Sequence, residues 1–334
     1  MTEEIIKAIN LTKKFGNLVA VDHINFEVKQ GEIFGLLGPN GAGKTTTVNM
    51  LTTVMKPTEG TAIINGYDVV KQPSKVRQSI GVVHQEYTAD EDLTGWENML
   101  LMADLYGLPR DVAKKRAIEL LKMVELTSAA HKKVENYSGG MRRRLEVAMG
   151  LINRPKILFL DEPTLGLDVQ TRIAIWSYIT KIKEQYQMTI FVTTHYLEEA
   201  DAYCDRIAII DKGKIIQIGT PRELKESIGG DIITIQIASD TATALKIINS
   251  IEGITEVKNI GETIRIKTKD GSSTAPKIIE MLDKNDIKVT KISITEPTMD
   301  EVYMEYTGKS LREEQSNWEE AFALRRTLRR ARRS

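Results

Sequence analysis

The run Gly38-Pro39-Asn40-Gly41-Ala42-Gly43-Lys44-Thr45, continued by Thr46, has the residue types and spacing of a phosphate-binding loop. Its glycines let backbone N–H groups converge on phosphate oxygens, and a helix starting near Lys44 adds partial positive charge. Lys44 has the reach for β and γ phosphates, and Thr45 carries the hydroxyl that such loops present to Mg²⁺. Farther on, Ile157-Leu158-Phe159-Leu160-Asp161-Glu162 reads as a buried strand ending in two acids. Asp161 is expected to hold the hydrated Mg²⁺, and Glu162 to polarise an attacking water. An acidic turn after a strand is common, so this pair gains its meaning from the phosphate loop upstream. Between the two lies Ser138-Gly139-Gly140 at an expected helix start, which suits a phosphate cradle and, more plainly, an N-cap.

These residues need strand ends and helix starts to hold them. Residues 33–37, Ile-Phe-Gly-Leu-Leu, read as a buried strand before the loop, and residues 44–51 suit the helix after it. Strand patterns at residues 5–11, 19–28, 60–65 and 80–85 give way to helical periodicity from about residue 96 to 152. Within that stretch helices are expected at residues 96–108, 110–126 and 140–153, the last two bounded by Pro109 and Pro155. Strand signals return at residues 157–160, 189–193 and 207–210, alternating with helical stretches such as 169–184. The expectation is a mostly parallel α/β core of the P-loop nucleoside triphosphatase type with a helical subdomain inserted at about 90–155. After Gly229-Gly230 the order becomes strand, helix, strand, strand, helix, strand, the βαββαβ pattern of a ferredoxin-like α+β domain. A last helix over 298–306 would end at Gly308.

The chain has 334 residues, enough for about two domains. The division expected is a nucleotide-binding domain at 1–228, an accessory domain at 229–309 and a basic tail at 310–334. Forty-six basic residues balance forty-six acidic ones, which gives no sign of a nucleic-acid-binding protein. The balance is uneven, because residues 311–334 hold seven Arg and four Glu. The tail is expected to dock as a helix or stay solvated, with contact to anionic lipid as the alternative. Cys204 is the sole cysteine, which rules out an internal disulfide and a cysteine-rich zinc site and reads as a small buried hydrophobe. No apolar run approaches the ~18 residues of a membrane span, and the acidic start Met1-Thr2-Glu3-Glu4 does not suit a signal peptide. A cytoplasmic location is expected.

With the phosphate loop, Ser138-Gly139-Gly140 and Asp161-Glu162 in this order, residues 4 to about 228 resemble the nucleotide-binding subunit of an ATP-binding cassette transporter. The resemblance implies roles for further residues. Phe15 would stack on adenine, Gln85 would contact Mg²⁺ and water and link to a permease, His195 would bond the γ-phosphate, and Asp168 would address an opposite subunit. Each has a plainer reading: Phe15 as core, Gln85 as a solvated residue, His195 as a satisfied surface histidine, Asp168 as an N-cap. Tyr137 and Met141 depart from the family's most frequent signature, Leu-Ser-Gly-Gly-Gln, but the phosphate-facing Ser-Gly-Gly is intact, so competence is expected. Arg142-Arg143-Arg144 oppose the dipole of their helix, which allows a solvated or phosphate-facing role, with a plain surface charge run as the expectation.

Glu296-Pro297-Thr298-Met299-Asp300-Glu301-Val302-Tyr303 and Tyr306-Thr307-Gly308 resemble the ending of antibiotic-export ATPases of the daunorubicin-resistance type. The accessory domain carries no catalytic constellation, which suits regulation or dimer stabilisation. The expected protein is therefore the ATP-binding and ATP-hydrolysing subunit of an export transporter, working with ATP and Mg²⁺. Its expected partners are a second copy of itself and a separate membrane permease carrying a drug-like or lipophilic cargo. It would lie on the cytoplasmic face of the membrane through that permease. Three alternatives are a soluble cassette ATPase in translation or DNA repair, a P-loop kinase, and an importer.

Overall fold

The structure is a computed structural model that describes residues 3–237, 241–260, 263–295, 297–309 and 311. Glu296 and the tail beyond 311, including the capping-box pair Ser316 and Glu319, the apolar face of Trp318, Ala321, Phe322, Leu324 and Leu328, and Arg325 to Arg333, lie outside the described residues. In chain order the first unit begins with β1 (Glu4–Phe15), β2 (Leu18–Lys29), β3 (Ile33–Leu37) and α1 (Lys44–Leu51). It continues through β4 (Glu59–Ile64), β5 (Tyr67–Asp68), α2 (Pro73–Ser79) and β6 (Ile80–Val83). The helices α3 (Gly95–Leu105), α4 (Arg110–Met123) and α5 (Gly139–Gly150) follow, then β7 (Ile157–Asp161), α6 (Val169–Tyr186) and β8 (Thr189–Thr194). The unit closes with α7 (Leu197–Tyr203), β9 (Arg206–Asp211) and β10 (Lys214–Gly219).

Two sheets form this unit. The central one has the order β10-β9-β3-β8-β7-β6, and its β9-β3-β8-β7-β6 pairs are parallel. Parallel strands covered on both faces read as unbroken apolar runs, and every residue of β3, β7 and β8 is buried. A second, antiparallel sheet, β2-β1-β4-β5, was not separable in the sequence, because its strands alternate like any half-buried strand. The apolar core between the sheets includes Phe26, Phe34, Phe159 and Phe191, with Phe26 and Phe34 stacked at 5.6 Å and Phe159 and Phe191 tilted at 5.4 Å. The parallel ladders hold β3, β8 and β7 in register, with Leu37 opposite Thr194 and Asp161 opposite Thr193, so that their carboxyl ends are level.

The inserted helices are capped as sequence chemistry dictates. Thr94 and Glu97 form a capping box at α3, and Ser138 accepts from the Met141 N–H at α5. The helices end short of the expected bounds, at Leu105, Met123 and Gly150, as the chain turns before Pro109 and Pro155 and at Glu125, whose φ is 56°.

A second compact unit begins at Gly219, upstream of the Gly229-Gly230 break. It contains α8 (Pro221–Ser227), β11 (Asp231–Ile237), α9 (Thr241–Asn249), β12 (Ile254–Ile260), β13 (Thr263–Thr268), α10 (Gly271–Asp283), β14 (Val289–Thr295) and α11 (Met299–Thr307). The sheet order β12-β13-β11-β14, antiparallel throughout, is that of the ferredoxin-like fold. Ile233, Ile235, Ile264 and Ile266 point from the sheet into Ile248, Ile278 and Leu282 of the helices. Helix α11 ends at Gly308, left-handed at φ 74°. Among the described residues no helix is long and apolar enough to cross a membrane.

Candidate functional site

The phosphate loop leaves the buried end of β3 and enters α1 at Lys44. Two of its glycines are required by the packing. A Cβ on Gly38 would lie 2.2 Å from the Ile210 carbonyl oxygen, and one on Gly43, at φ 107°, would lie 2.6 Å from that of Ala20. Gly41, also left-handed at φ 85°, faces open space. No side chain caps α1, so its first N–H groups remain directed at whatever occupies the loop. Lys44 is buried and folds back over the loop, its Nζ donating to the carbonyls of Gly38 at 2.7 Å and Pro39 at 3.1 Å. Pro39 and Ala42 are buried, Asn40 and Thr46 half-buried, and Thr45 exposed at the mouth.

The acids arrive from β7, where the register sets Asp161 opposite Thr193 of β8. Asp161 Oδ1 accepts from Thr193 Oγ1 at 2.5 Å and from Thr45 Oγ1 at 3.3 Å. Burial pushes the Asp161 carboxyl above its usual range, aided by the neighbouring Glu162 charge and opposed by the two threonines. Glu162 turns the chain in the left-handed region at φ 49°, which costs a non-glycine residue about 1 kcal/mol or more. Its N–H donates to Thr193 Oγ1 at 3.0 Å, which holds that turn. The turn sends the carboxylate to Lys44 Nζ, 2.9 Å from Oε1, and to His195 Nδ1, which donates to Oε2 at 2.6 Å. Oε1 meets the Lys44 ammonium as an ion pair, while two of that ammonium's three donors go to the loop carbonyls. Burial acts to raise the Glu162 carboxyl, but the His195 bond and the Lys44 charge prevail and hold it below its usual range. Lys44, Glu162 and His195 are thus one buried charged cluster at the carboxyl ends of β3, β7 and β8.

Apart from His195, the remaining sequence-derived residues lie outside the bonds of this cluster. Phe15 ends β1 half exposed, so it is not core, and the Lys13 ammonium sits 5.3 Å from its ring centroid. Gln85 follows β6 with an exposed side chain. His195, far from being a surface residue, is 6% exposed. Asp168 is the N-cap of α6, accepting from Thr171 N–H at 3.0 Å and from its hydroxyl at 2.6 Å. Ser138 and Gly139 are exposed at the start of α5, where a Cβ on Gly140 would lie 2.7 Å from Thr171 Cγ2. The Ser-Gly-Gly turn and the Asp168 turn therefore pack together within one chain.

One expectation fails. Arg142-Arg143-Arg144 is no surface run: Arg143 is 2% exposed, Arg142 bonds the Glu135 carbonyl and pairs with Glu91, and Arg144 donates to the Val124 carbonyl at 3.0 Å. A three-arginine string carries no periodic mark of which member points inward, so sequence reasoning missed it. It also missed buried Glu199 of α7, which accepts from Thr164 Oγ1 at 2.8 Å and Arg172 Nε at 2.9 Å. Those bonds tie the loop after Glu162 to the helix after His195.

A strand–loop–helix phosphate cradle, with a second strand delivering acids to its mouth, defines a P-loop nucleoside triphosphatase. A family model described as ABC transporter matches residues 21–165, and one described as ATP-binding protein DrrA1-3-like, C-terminal domain, matches residues 219–307. The doxorubicin resistance ATP-binding protein DrrA of Mycobacterium tuberculosis is 40% identical over 91% of this chain and 93% of its own. The linearmycin resistance ATP-binding protein LnrL of Bacillus subtilis is 36% identical over 92% of this chain and 100% of its own. Among solved structures, a dimeric ATP-binding cassette in a post-hydrolysis state bound to ADP and Pi is 31% identical, with a TM-score of 0.59 over 65% of this chain and 98% of that one. The chain belongs to the ATP-binding cassette transporter family, in the branch with the DrrA-type C-terminal domain, and is an ATP-hydrolysing subunit.

Proposed function

We propose that this subunit drives export of a drug-like or lipophilic compound through a separate permease, with two copies packed head to tail around two ATP molecules. The observation that carries the hydrolytic part is the buried Lys44–Glu162–His195 cluster facing the phosphate loop. Lys44, the backbone N–H groups from Asn40 to Gly43, Thr45 and Thr46 bind the β and γ phosphates. Glu162, ionised and oriented by His195, accepts a proton from the water that attacks the γ phosphorus, while the bond to the ADP oxygen breaks. His195 then steadies the γ-phosphate oxygens, and Phe15 offers its exposed ring to adenine.

Thr45 Oγ1 and Asp161 Oδ1 stand 3.3 Å apart at the loop mouth, hard oxygen donors of the kind Mg²⁺ takes together with phosphates, so these residues fit that ion, and Gln85 would complete the set. Held there, Mg²⁺ would supply neutralisation of phosphate charge. Ser138 and Gly139 face solvent and Gly140 is half-buried beside them, consistent with the turn closing over the nucleotide of the other copy, with Asp168 reaching the same junction. The dimeric cassette among the solved relatives supports this arrangement.

The DrrA and LnrL relatives are named for doxorubicin and linearmycin resistance, which supports export and a lipophilic cargo. We place the subunit on the cytoplasmic face of the membrane, held there by the permease through the surface near Gln85. The domain after Gly229 regulates or stabilises the pair, and the basic tail is a candidate contact for anionic lipid. Tagged protein drawn from gently solubilised membranes should bring a multi-span permease with it. Recovery in the soluble fraction alone, or with ribosomal or DNA-repair proteins, would contradict the transport reading.

A further inference from the structure

The helix that begins at the Ser-Gly-Gly turn grips the segment that carries Gln85. Arg143 and Glu146 stand three residues apart on α5, hence on one face, and both are 2% exposed. The Arg143 guanidinium donates from Nη1 to the His84 carbonyl at 2.7 Å and from Nη2 to the Gln85 carbonyl at 2.8 Å. Its planar fork lies 5.0 Å from the centroid of the Tyr87 ring, and Tyr87 Oη in turn donates to the Gly139 carbonyl at 3.3 Å. The Glu146 carboxylate accepts from Thr88 N–H at 2.6 Å, Thr88 Oγ1 at 2.6 Å and Ala89 N–H at 2.7 Å. One cation and one anion on a single helical face therefore hold consecutive carbonyls and then consecutive amides of one short strand-free segment.

Charge-assisted bonds of this length are among the strongest a backbone can make, and a buried charge stripped of such partners is costly. The segment has no sheet or helix of its own to position it: β6 ends at Val83, and α3 starts only at Gly95.

We propose that Arg143 and Glu146 are positioning residues that make residues 84–89 and the Ser138-Gly139-Gly140 turn move as one body. A shift of Gln85 when nucleotide binds is then delivered along α5 to the turn that faces the other copy. This rests on the reading of Gln85 and Ser138-Gly139-Gly140 given above. The grip also explains why the middle arginine of Arg142-Arg143-Arg144 is turned inward, where a lysine could not reach two carbonyls in the plane of one fork.

The test compares full-length wild type, Glu146→Ala, Glu146→Gln and Arg143→Lys by amide hydrogen exchange, ATP affinity and steady-state hydrolysis. In Glu146→Ala the Thr88 and Ala89 amides should exchange at least about tenfold faster, with α3 and α4 unchanged. The value of kcat should fall about tenfold or more while the Kd for ATP stays within about twofold. Glu146→Gln retains an acceptor oxygen and should recover most of both effects, and Arg143→Lys should lower kcat by a smaller factor.

Faster exchange at residues 84–89 with unchanged kcat would overturn the proposal, because the grip would exist without consequence. So would loss of protection throughout α3, α4 and α5, which would mark the contacts as general packing. A wild type that binds but does not hydrolyse ATP would instead refute the functional reading, while the exchange data would still decide whether the grip is local.

Discussion

In the phosphate-loop cleft the chain buries Lys44, Asp161, Glu162, Thr193, Thr194 and His195 together. In the βαββαβ unit the buried described residues are chiefly isoleucine, leucine and alanine, joined by Thr268 and Thr274, whose hydroxyls bond each other at 3.0 Å. Both regions are sheets covered by helices. The first spends strand ends on charged side chains that packing alone would exclude, and holds Glu162 in a left-handed turn to do so. The second shows what the same chain does where packing fills the interior. Strained and charged burial therefore marks the cleft as the working part.

The sharpest way to break the comparison is to remove charge from the cleft without disturbing its shape. Asp161→Asn keeps an oxygen for Thr193 and Thr45 but loses a carboxylate that burial disfavours. Hydrolysis should fall by about two orders of magnitude or more, whereas melting without nucleotide should stay level or rise. A clear drop in melting temperature would mean that Asp161 is structural.

The mirror experiment is Ile266→Ala in the second unit, where a fully buried side chain is cut back to a methyl. About 2–5 kcal/mol of that unit's stability should be lost, as read by denaturant unfolding, with the Kd for ATP unchanged. Weakened ATP binding would show that the two regions are not energetically separate.

A smaller effect should follow acidity. Burial acts to raise the Glu162 carboxyl, but the His195 bond and the Lys44 charge keep it below its unfolded value. Its stabilising contribution is therefore complete above the unfolded pKa and fades as pH falls through the folded one. The gap in unfolding free energy between wild type and Glu162→Gln should shrink between neutral pH and about pH 3. A constant gap would assign the effect to shape.

Smallest of all, Asp168→Ala removes the two bonds to Thr171 at the start of α6 and should lower the thermal midpoint only slightly. A larger loss of hydrolysis than of stability would favour a role for Asp168 across the dimer junction.

Much of this was legible in the chain because local chemistry fixes it. Glycines that must bring backbone close, as at Gly38 and Gly43, and unbroken apolar runs, as in β3 and β7, announce their setting. The βαββαβ order survived for the same reason, since period-two and helical patterns alternate cleanly there. Contacts made across long separations left no such mark. Nothing local reveals that Arg143 reaches residues 84 and 85, that Glu199 meets Thr164, or that β1, β2, β4 and β5 form a sheet of their own. His195 is intermediate: its place after an apolar strand was readable, while its bond to Glu162 came only from the alignment of β7 and β8.

The central claim is that Glu162 activates the attacking water inside a cleft that already holds the nucleotide. Wild type and Glu162→Gln should be compared by ADP release at saturating ATP and Mg²⁺, with sedimentation in the same buffer. The account predicts that Glu162→Gln binds ATP, loses about two to four orders of magnitude in hydrolysis, and accumulates as a closed dimer. Hydrolysis by Glu162→Gln at the wild-type rate would contradict it.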